Sequence, residues 1–163
     1  MSKEELDMSN QENVFETILA PMTGTAVAIT EVPDPIFIEK ILGDGIAIVP
    51  TEGKVVSPVD GTVSKVAETG HIYAVTSDNG VEVVIHVGLE TVALNGKCFQ
   101  IHVKEGDKVS AGDKLLSFDP EKIKAHGYEK TCILVVTNGD DYPDMKLHTG
   151  MDAVQGETVI AEF

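Results

Sequence analysis

The chain has 163 residues, 27 of them acidic and 12 basic, for a formal charge of −15, with no Trp and few aromatics. That length suits one domain built on Val, Ile and Leu, and the charge argues against nucleic acid and anionic lipid as partners while favouring basic protein faces. No apolar run nears the roughly 18 residues needed to span a bilayer, and MSKEELDMSN lacks signal-peptide character, so the expectation is a soluble, cytoplasmic monomer.

Residues 1–18 carry five acidic side chains and one lysine and read as a mobile tail, leaving 19–163 as a single domain. From there the pattern turns to short apolar runs broken by Gly, Pro, Asp and Asn. In chain order these are GTAVAI, GIAIVP, KVVSPVDGTVSKV, HIYAVT, VEVVIHV, FQIHV, KLLSF, TCILVV and TVIAEF. Closely spaced short strands with turn signals between them predict an all-β antiparallel sandwich or barrel. The one helical signal is SFDPEKIKAHGY, with Asp119 as cap, Pro120 at the first helical position and Gly127 as stop. His126 falls near the end of that helix, where a cation is favourable. Cys98 and Cys132 form neither a disulfide framework nor a zinc pattern, and Cys132 reads as a small core hydrophobe.

The chain also resembles itself. APMTGTA (20–26) returns as SPVDGTV (57–63), and VKEGDKVSAGDKLLSF (103–118) returns as LHTGMDAVQGETVIAE (147–162). In the second pair Gly106 and Gly112 match Gly150 and Gly156, Asp113 matches Glu157, and Leu115-Leu116 matches Val159-Ile160. Two repeats in the same order argue for two interleaved copies of one β-motif around a common core.

A histidine interrupts the most apolar of these strands, VEVVIHVGLE (81–90). Strand alternation puts Val81, Val83, Ile85, Val87 and Leu89 on the core face, and Glu82, Val84, His86, Gly88 and Glu90 on the other. If Asn79-Gly80 forms a two-residue hairpin loop, Tyr73 pairs with His86, His71 and His86 become diagonal neighbours on the outer face, and Ile72 and Ala74 join the core. A three-residue loop shifts the register by one and sends the two histidines to opposite faces. The outward pair admits three readings: a solvated surface pair, a metal site completed by Glu82 or Glu90, or chemistry at an imidazole nitrogen. His102 and His148 have no comparable setting and are expected to be solvated.

These residues resemble a known family. GVEVVIHVGLETV (80–92) is similar to the phosphorylation-site signature of the glucose-type IIA component of the bacterial phosphoenolpyruvate-dependent sugar phosphotransferase system, and meets every position that the signature specifies. VPDPIFIEKILGDGIAI (32–48), SPVDGTV (57–63) and ETGH (68–71) resemble the family in order and spacing, so the likeness runs from about residue 20 to the C-terminus.

The resemblance implies a phosphotransferase component of the duplicated hybrid-motif fold, with one or two short helices. It implies that His86 is phosphorylated, that His71 helps hold the phosphoryl group, that Thr69 orients the His71 ring, and that the Gly88 carbonyl sets the His86 tautomer. The implied donor is the phosphocarrier HPr and the implied acceptor a cysteine on the IIB domain of a glucose-type permease, with transporters or enzymes as further regulated partners. Asp34, Ile36, Phe37, Ile41, Leu42, Val84, Glu90 and Val92 match the rim where such partners dock. Glu90 stands where the family often has aspartate, and the acidic N-terminal tail lacks the lysines of a lipid-binding segment, so no membrane insertion is expected. With no IIB or IIC region in the sequence, the domain is expected to act in trans.

No metal or nucleotide cofactor is called for, and the chain has no GxxxxGK[ST] phosphate loop; zinc enters only as a regulatory ion shared by His71, His86 and a partner's carboxylate. Two alternatives use related β-folds. A biotinyl or lipoyl carrier would need its lysine at a hairpin tip, and the one Met-Lys pair, Met145-Lys146, lies in DDYPDMKLHTG. A zinc hydrolase would need a His-x-His pair, which is absent from the sequence.

Overall fold

A computed structural model describes residues 16–32, 43–88, 99–125 and 130–163. Its strands are β1 (Thr17–Leu19), β2 (Gly24–Ala28), β3 (Asp44–Pro50), β4 (Lys54–Val56), β5 (Gly61–Val66), β6 (Ile72–Ser77), β7 (Glu82–His86) and β8 (Phe99–Ile101). They continue as β9 (Lys108–Val109), β10 (Lys114–Phe118), β11 (Cys132–Val136), β12 (Lys146–Leu147), β13 (Asp152–Ala153) and β14 (Val159–Glu162), with helix α1 (Pro120–Ala125) between β10 and β11. One eight-stranded sheet runs β13-β2-β3-β11-β7-β6-β5-β9, and two three-stranded sheets run β1-β14-β12 and β4-β10-β8. Every pairing among the described residues is antiparallel. This is the expected all-β sandwich. Its core gathers Tyr73, Val75, Val83, Ile85, Leu115, Leu116, Ile123, Leu134 and Ile160, all essentially inaccessible to solvent.

The sheet order reads the same from both ends once strands are exchanged in pairs, β13 with β9, β2 with β5, β3 with β6 and β11 with β7. Backbone hydrogen bonds repeat accordingly. Gly112 N–H donates to the Ser57 carbonyl and Gly156 N–H to that of Ala20, both at 2.9 Å; Gly106 donates to Val63 and Gly150 to Ala26, both at 2.8 Å. The duplication read from the sequence is therefore present as paired connectivity, with one correction. Ser57 N–H donates to the Asp113 carbonyl, but Ala20 N–H donates to that of Thr158, not Glu157. The Asp113 carboxylate closes its turn on Ser110 N–H at 2.8 Å, and the Thr158 hydroxyl closes the equivalent turn on Val154 N–H at 2.9 Å. The second turn is one residue longer, so Leu115-Leu116 corresponds to Ile160-Ala161, the pair whose side chains are fully buried.

The same correspondence relates two histidines. His102 N–H donates to the Leu115 carbonyl and His148 N–H to that of Ile160, each at 2.9 Å. Their rings reach equivalent positions on the central strands, His102 Nε2 lying 2.8 Å from Ser117 Oγ and His148 Nε2 3.3 Å from Glu162 Oε2. Both rings are solvent-accessible as expected, His102 exposed and His148 partly so, but each also ties a strand exit to its neighbour.

β1 begins at Thr17, and Ile18 is wholly buried where β1 pairs with β14. The folded part thus starts earlier than the expected boundary at residue 19, and residues 1–15 lie outside the described ones. Lys146 lies within β12 and pairs with Glu162, in a strand and not at a hairpin tip, which removes the setting a biotinyl or lipoyl lysine needs.

Helix α1 starts as its sequence dictates. Asp119 Oδ1 accepts from Glu121 N–H at 3.1 Å and from Lys122 N–H at 3.2 Å, and Ile123 is the buried residue on the helix. Asp119→Ala is expected to cost about 1 kcal/mol, read as a lowered urea midpoint with an unchanged m-value. His126 and Gly127 lie outside the described residues.

Candidate active site

The β6–β7 hairpin carries both histidines, and its register differs from the expected one. Ile72, not Tyr73, stands opposite His86, and Tyr73 pairs with Ile85. Ser77 N–H donates to the Val81 carbonyl at 2.8 Å, so the loop is the three residues Asp78, Asn79 and Gly80. Gly80 adopts the left-handed conformation at φ 93° that this loop type requires. The Ser77 hydroxyl, buried at the turn, accepts from Val81 N–H at 3.0 Å and from Asn79 N–H at 3.3 Å.

The core explains the choice. In this register Tyr73, Val75 and Ser77 face inward with Val81, Val83 and Ile85, while Ile72 and Ala74 are half-buried on the outer side. A one-residue slip would turn the Tyr73 ring out of the core. Burying such a ring removes about 150–250 Å² from water, which at about 25 cal/mol per Å² is worth roughly 4–6 kcal/mol.

The histidines nevertheless meet. His71 lies just before the first residue of β6, in a bend entered through Gly70 at φ 79°, so strand alternation does not govern its ring. Its carbonyl still accepts from Val87 N–H at 2.7 Å, anchoring it beside the end of β7. The His71 and His86 ring centroids are 5.3 Å apart, with the planes at 80°.

Each ring is held through Nδ1. His86 Nδ1 lies 2.6 Å from the Gly88 carbonyl oxygen. A carbonyl only accepts, so His86 carries its proton on Nδ1 and its lone pair on Nε2. His71 Nδ1 lies 2.5 Å from Thr69 Oγ1. A hydroxyl can donate or accept, and with its hydrogen on Nδ1 the His71 ring presents an Nε2–H. His71 is buried at 6% exposure, and burial first, the His86 ring second, lower its pKa below the ordinary 6.5. His71 is neutral at pH 7.

This fixes a stability effect. The unfolded imidazole binds a proton more readily than the folded one, so His71 adds no penalty above about pH 6.5, and stability falls as pH drops from there toward the lowered folded pKa. Urea titrations at several pH values should show this loss in the wild type and a smaller one in His71→Gln. Thr69→Val, which deletes the hydroxyl at Nδ1, should mix the His71 tautomers, seen as averaged ring ¹⁵N shifts.

The outer face is more apolar than its alternation suggested. His86 stands between Ile72 on β6 and Ile133 on β11, and Val84 is opposite Val135. Ile133 and Val135 are buried in a second small cluster with Ile29, Val32 and Ala47. The fully buried run CILVV was the available signal, because a strand apolar on both faces is covered on both faces. Phe99 and Ile101 of β8 were also missed. A side chain on Gly70 would meet the Phe99 Cβ at 3.2 Å and the Ile101 Cγ1 at 3.3 Å, so β8 packs directly over the turn that delivers Thr69 and His71.

His86, His71, Thr69 and Gly88 are thus brought together, with Val84 on the same face. Asp34, Ile36, Phe37, Ile41, Leu42, Glu90 and Val92 lie outside the described residues. Glu82 is turned to the Thr137 hydroxyl, 3.2 Å away, at the far end of β7 from His86.

A duplicated antiparallel β-sandwich bearing a pair of facing imidazoles defines the class. The model of the family described as phosphoenolpyruvate-dependent sugar phosphotransferase system, EIIA 1, matches residues 16–142. The glucose-specific EIIA component of Bacillus anthracis is 48% identical over 145 residues, covering 89% of this chain and 88% of that one. The beta-glucoside-specific EIIBCA component of Bacillus subtilis is 50% identical over 131 residues, 80% of this chain and 22% of that one. The solved glucose permease IIA from Mycoplasma capricolum superposes with a TM-score of 0.80 at 34% identity, over 90% of this chain and 94% of that one. The chain belongs to the EIIA 1 family of the phosphoenolpyruvate-dependent sugar phosphotransferase system. Among the described residues no helix is long and apolar enough to cross a membrane.

Proposed function

We propose that this protein is a phosphoryl carrier that takes phosphate from phospho-HPr on His86 Nε2 and passes it to a cysteine of the IIB domain of a glucose-type permease. The observation that supports this reading most directly is the Gly88 carbonyl at His86 Nδ1, which directs the lone pair to Nε2. In the first step the N–P bond of the donor breaks as an Nε2–P bond forms; in the second that bond breaks as an S–P bond forms on IIB. Transfer through a loose, metaphosphate-like transition state asks for alignment and charge stabilisation, not covalent help. His71 supplies the latter, its Nε2–H donating to a phosphoryl oxygen while the Thr69 hydroxyl donates to Nδ1.

The name of the Bacillus subtilis relative, EIIBCA, joins an A part to B and C parts and supports IIB as acceptor. Val84, and in sequence Asp34, Ile36, Phe37, Ile41, Leu42, Glu90 and Val92, make up the rim on which HPr and IIB would dock. Chemistry at the pair calls for no cofactor. A zinc ion held by His71 and His86 would need its other ligands from a bound partner, since the described residues hold no cluster of three or more metal-ligating side chains. The test is transfer from phospho-HPr with mapping of the acid-labile phosphate. Label on any residue other than His86 overturns the assignment.

A further inference from the structure

We propose that Ile101 of β8 is a positioning residue for His71: its side chain clamps Gly70, the residue between Thr69 and His71, and so holds the His71 ring where it can donate to a phosphoryl group. The inference rests on the carrier reading for its functional meaning, and on geometry for the clamp itself.

Between β5 and β6 the chain runs through Ala67, Glu68, Thr69, Gly70 and His71. Ala67 N–H donates to the Ile72 carbonyl at 3.0 Å, and Gly70 N–H to the Ala67 carbonyl at 2.8 Å. These bonds shape the turn, and β8 presses on it from another sheet. A Cβ placed on Gly70 would lie 3.3 Å from Ile101 Cγ1, 3.4 Å from Ile101 Cδ1 and 3.2 Å from Phe99 Cβ. The strand that presses is itself backed. Ile101 pairs with the fully buried Leu116 of β10, the Phe99 ring centroid is 6.5 Å from that of Phe118, and His102 Nε2 is 2.8 Å from Ser117 Oγ. At 40% exposure Ile101 is not a core residue, and the carbons it keeps from solvent cover the turn.

The duplication supplies an internal comparison. Pro50 pairs with Gly24 as Ser77 pairs with Gly61, so Gly43-Asp44-Gly45 corresponds to Gly70-His71-Ile72. Leu147 pairs with Ala161 as Ile101 pairs with Leu116, so Leu147 is the counterpart of Ile101. In that half the clamp is open. The nearest neighbours of a Cβ on Gly43 are Val136 and Val135 of β11, and a cavity of about 180 Å³ lies among Asp44, Gly45, Leu147 and Thr149. The duplicated motif can thus be built without the contact, and the half that carries the histidine has it.

The experiment uses the full chain, with the ¹⁵N shifts of the His71 ring read before phosphorylation and transfer to IIB measured afterwards. The wild type should show a single Nδ1–H tautomer of His71. Ile101→Ala removes both clamping carbons and should average the His71 ring shifts while leaving those of His86 unchanged. Turnover of transfer to IIB should fall about tenfold with KM unchanged, a partial loss of a donor whose full removal costs about 10²–10³. Ile101→Val, which keeps the carbon next to Cβ, should restore both signals. Gly70→Ala drives a methyl group into Ile101 and Phe99 and should displace the ring, at a cost of about 10² in turnover. If that variant does not fold, the Ile101 pair still decides. Wild-type His71 shifts in Ile101→Ala overturn the proposal, and a raised KM beside them would make Ile101 a docking residue. A Val variant no better than Ala overturns it too. The ring shifts precede phosphorylation, so label found elsewhere than on His86 would end the carrier reading and leave the clamp to be judged separately.

Discussion

His86→Ala is expected to take up no phosphate from phosphoenolpyruvate, enzyme I and HPr under conditions where the wild type gains one acid-labile phosphoryl group. On the proposed carrier role the variant removes the nucleophile itself, and the site has no substitute in the same place. His71 points its own Nδ1 at Thr69 and sits below the surface at 6% exposure. His102 and His148 are tied to Ser117 and Glu162 in the two three-stranded sheets, outside the sheet that carries His86. The fold should tolerate the change, because the His86 ring is half-buried on the outer face and the core side of β7 is Val83 and Ile85. Urea unfolding of His86→Ala should stay within about 1 kcal/mol of the wild type, as for most surface substitutions. A folded variant that still takes up label in full would place the chemistry on another residue.

The alternation of apolar residues was enough to predict the strands and the core face of β7, since nothing competes with four buried aliphatics in one row. The hairpin register was not recoverable in the same way. Ser77-Asp78-Asn79-Gly80-Val81 is compatible with a two-residue or a three-residue loop, and the short-range Asn-Gly signal favours the former. What decides is tertiary: the Tyr73 ring must be inside, and the Ser77 hydroxyl can close the longer loop. The predicted meeting of the two histidines still holds, for a different reason, because His71 stands outside the strand whose parity was used to place it. The repeats show a similar limit. An ungapped comparison cannot place the extra residue in the second turn; the bonds from Ala20 N–H to the Thr158 carbonyl and from Val154 N–H to Thr158 Oγ1 reveal that Thr158 does the work of Asp113. The partners of His102 and His148 lie 15 and 14 residues away along the chain, beyond any local pattern.

His71→Ala should separate the two halves of the carrier cycle. The variant keeps His86 with its Nδ1 on the Gly88 carbonyl, so the proposed nucleophile is intact and label from phospho-HPr should still accumulate on His86 at long times. Onward transfer to IIB should fall by about 10²–10³, the usual cost of removing one preorganised donor from a site where charge develops. The loss should appear in turnover more than in KM, because the donor acts on the transferring group and not on the docking rim. His71→Gln supplies the discriminating control. Its amide nitrogen reaches close to the position of the imidazole Nε2 and can donate the same hydrogen, so it should recover part of the rate that Ala loses, although it cannot take the Thr69 contact in the same geometry. A merely structural role for the ring would be restored by shape alone: His71→Leu would then match Gln. Equal onward rates for wild type and His71→Ala would mean that the buried ring 5.3 Å from His86 is a packing element, and that the phosphoryl charge is stabilised by the partner.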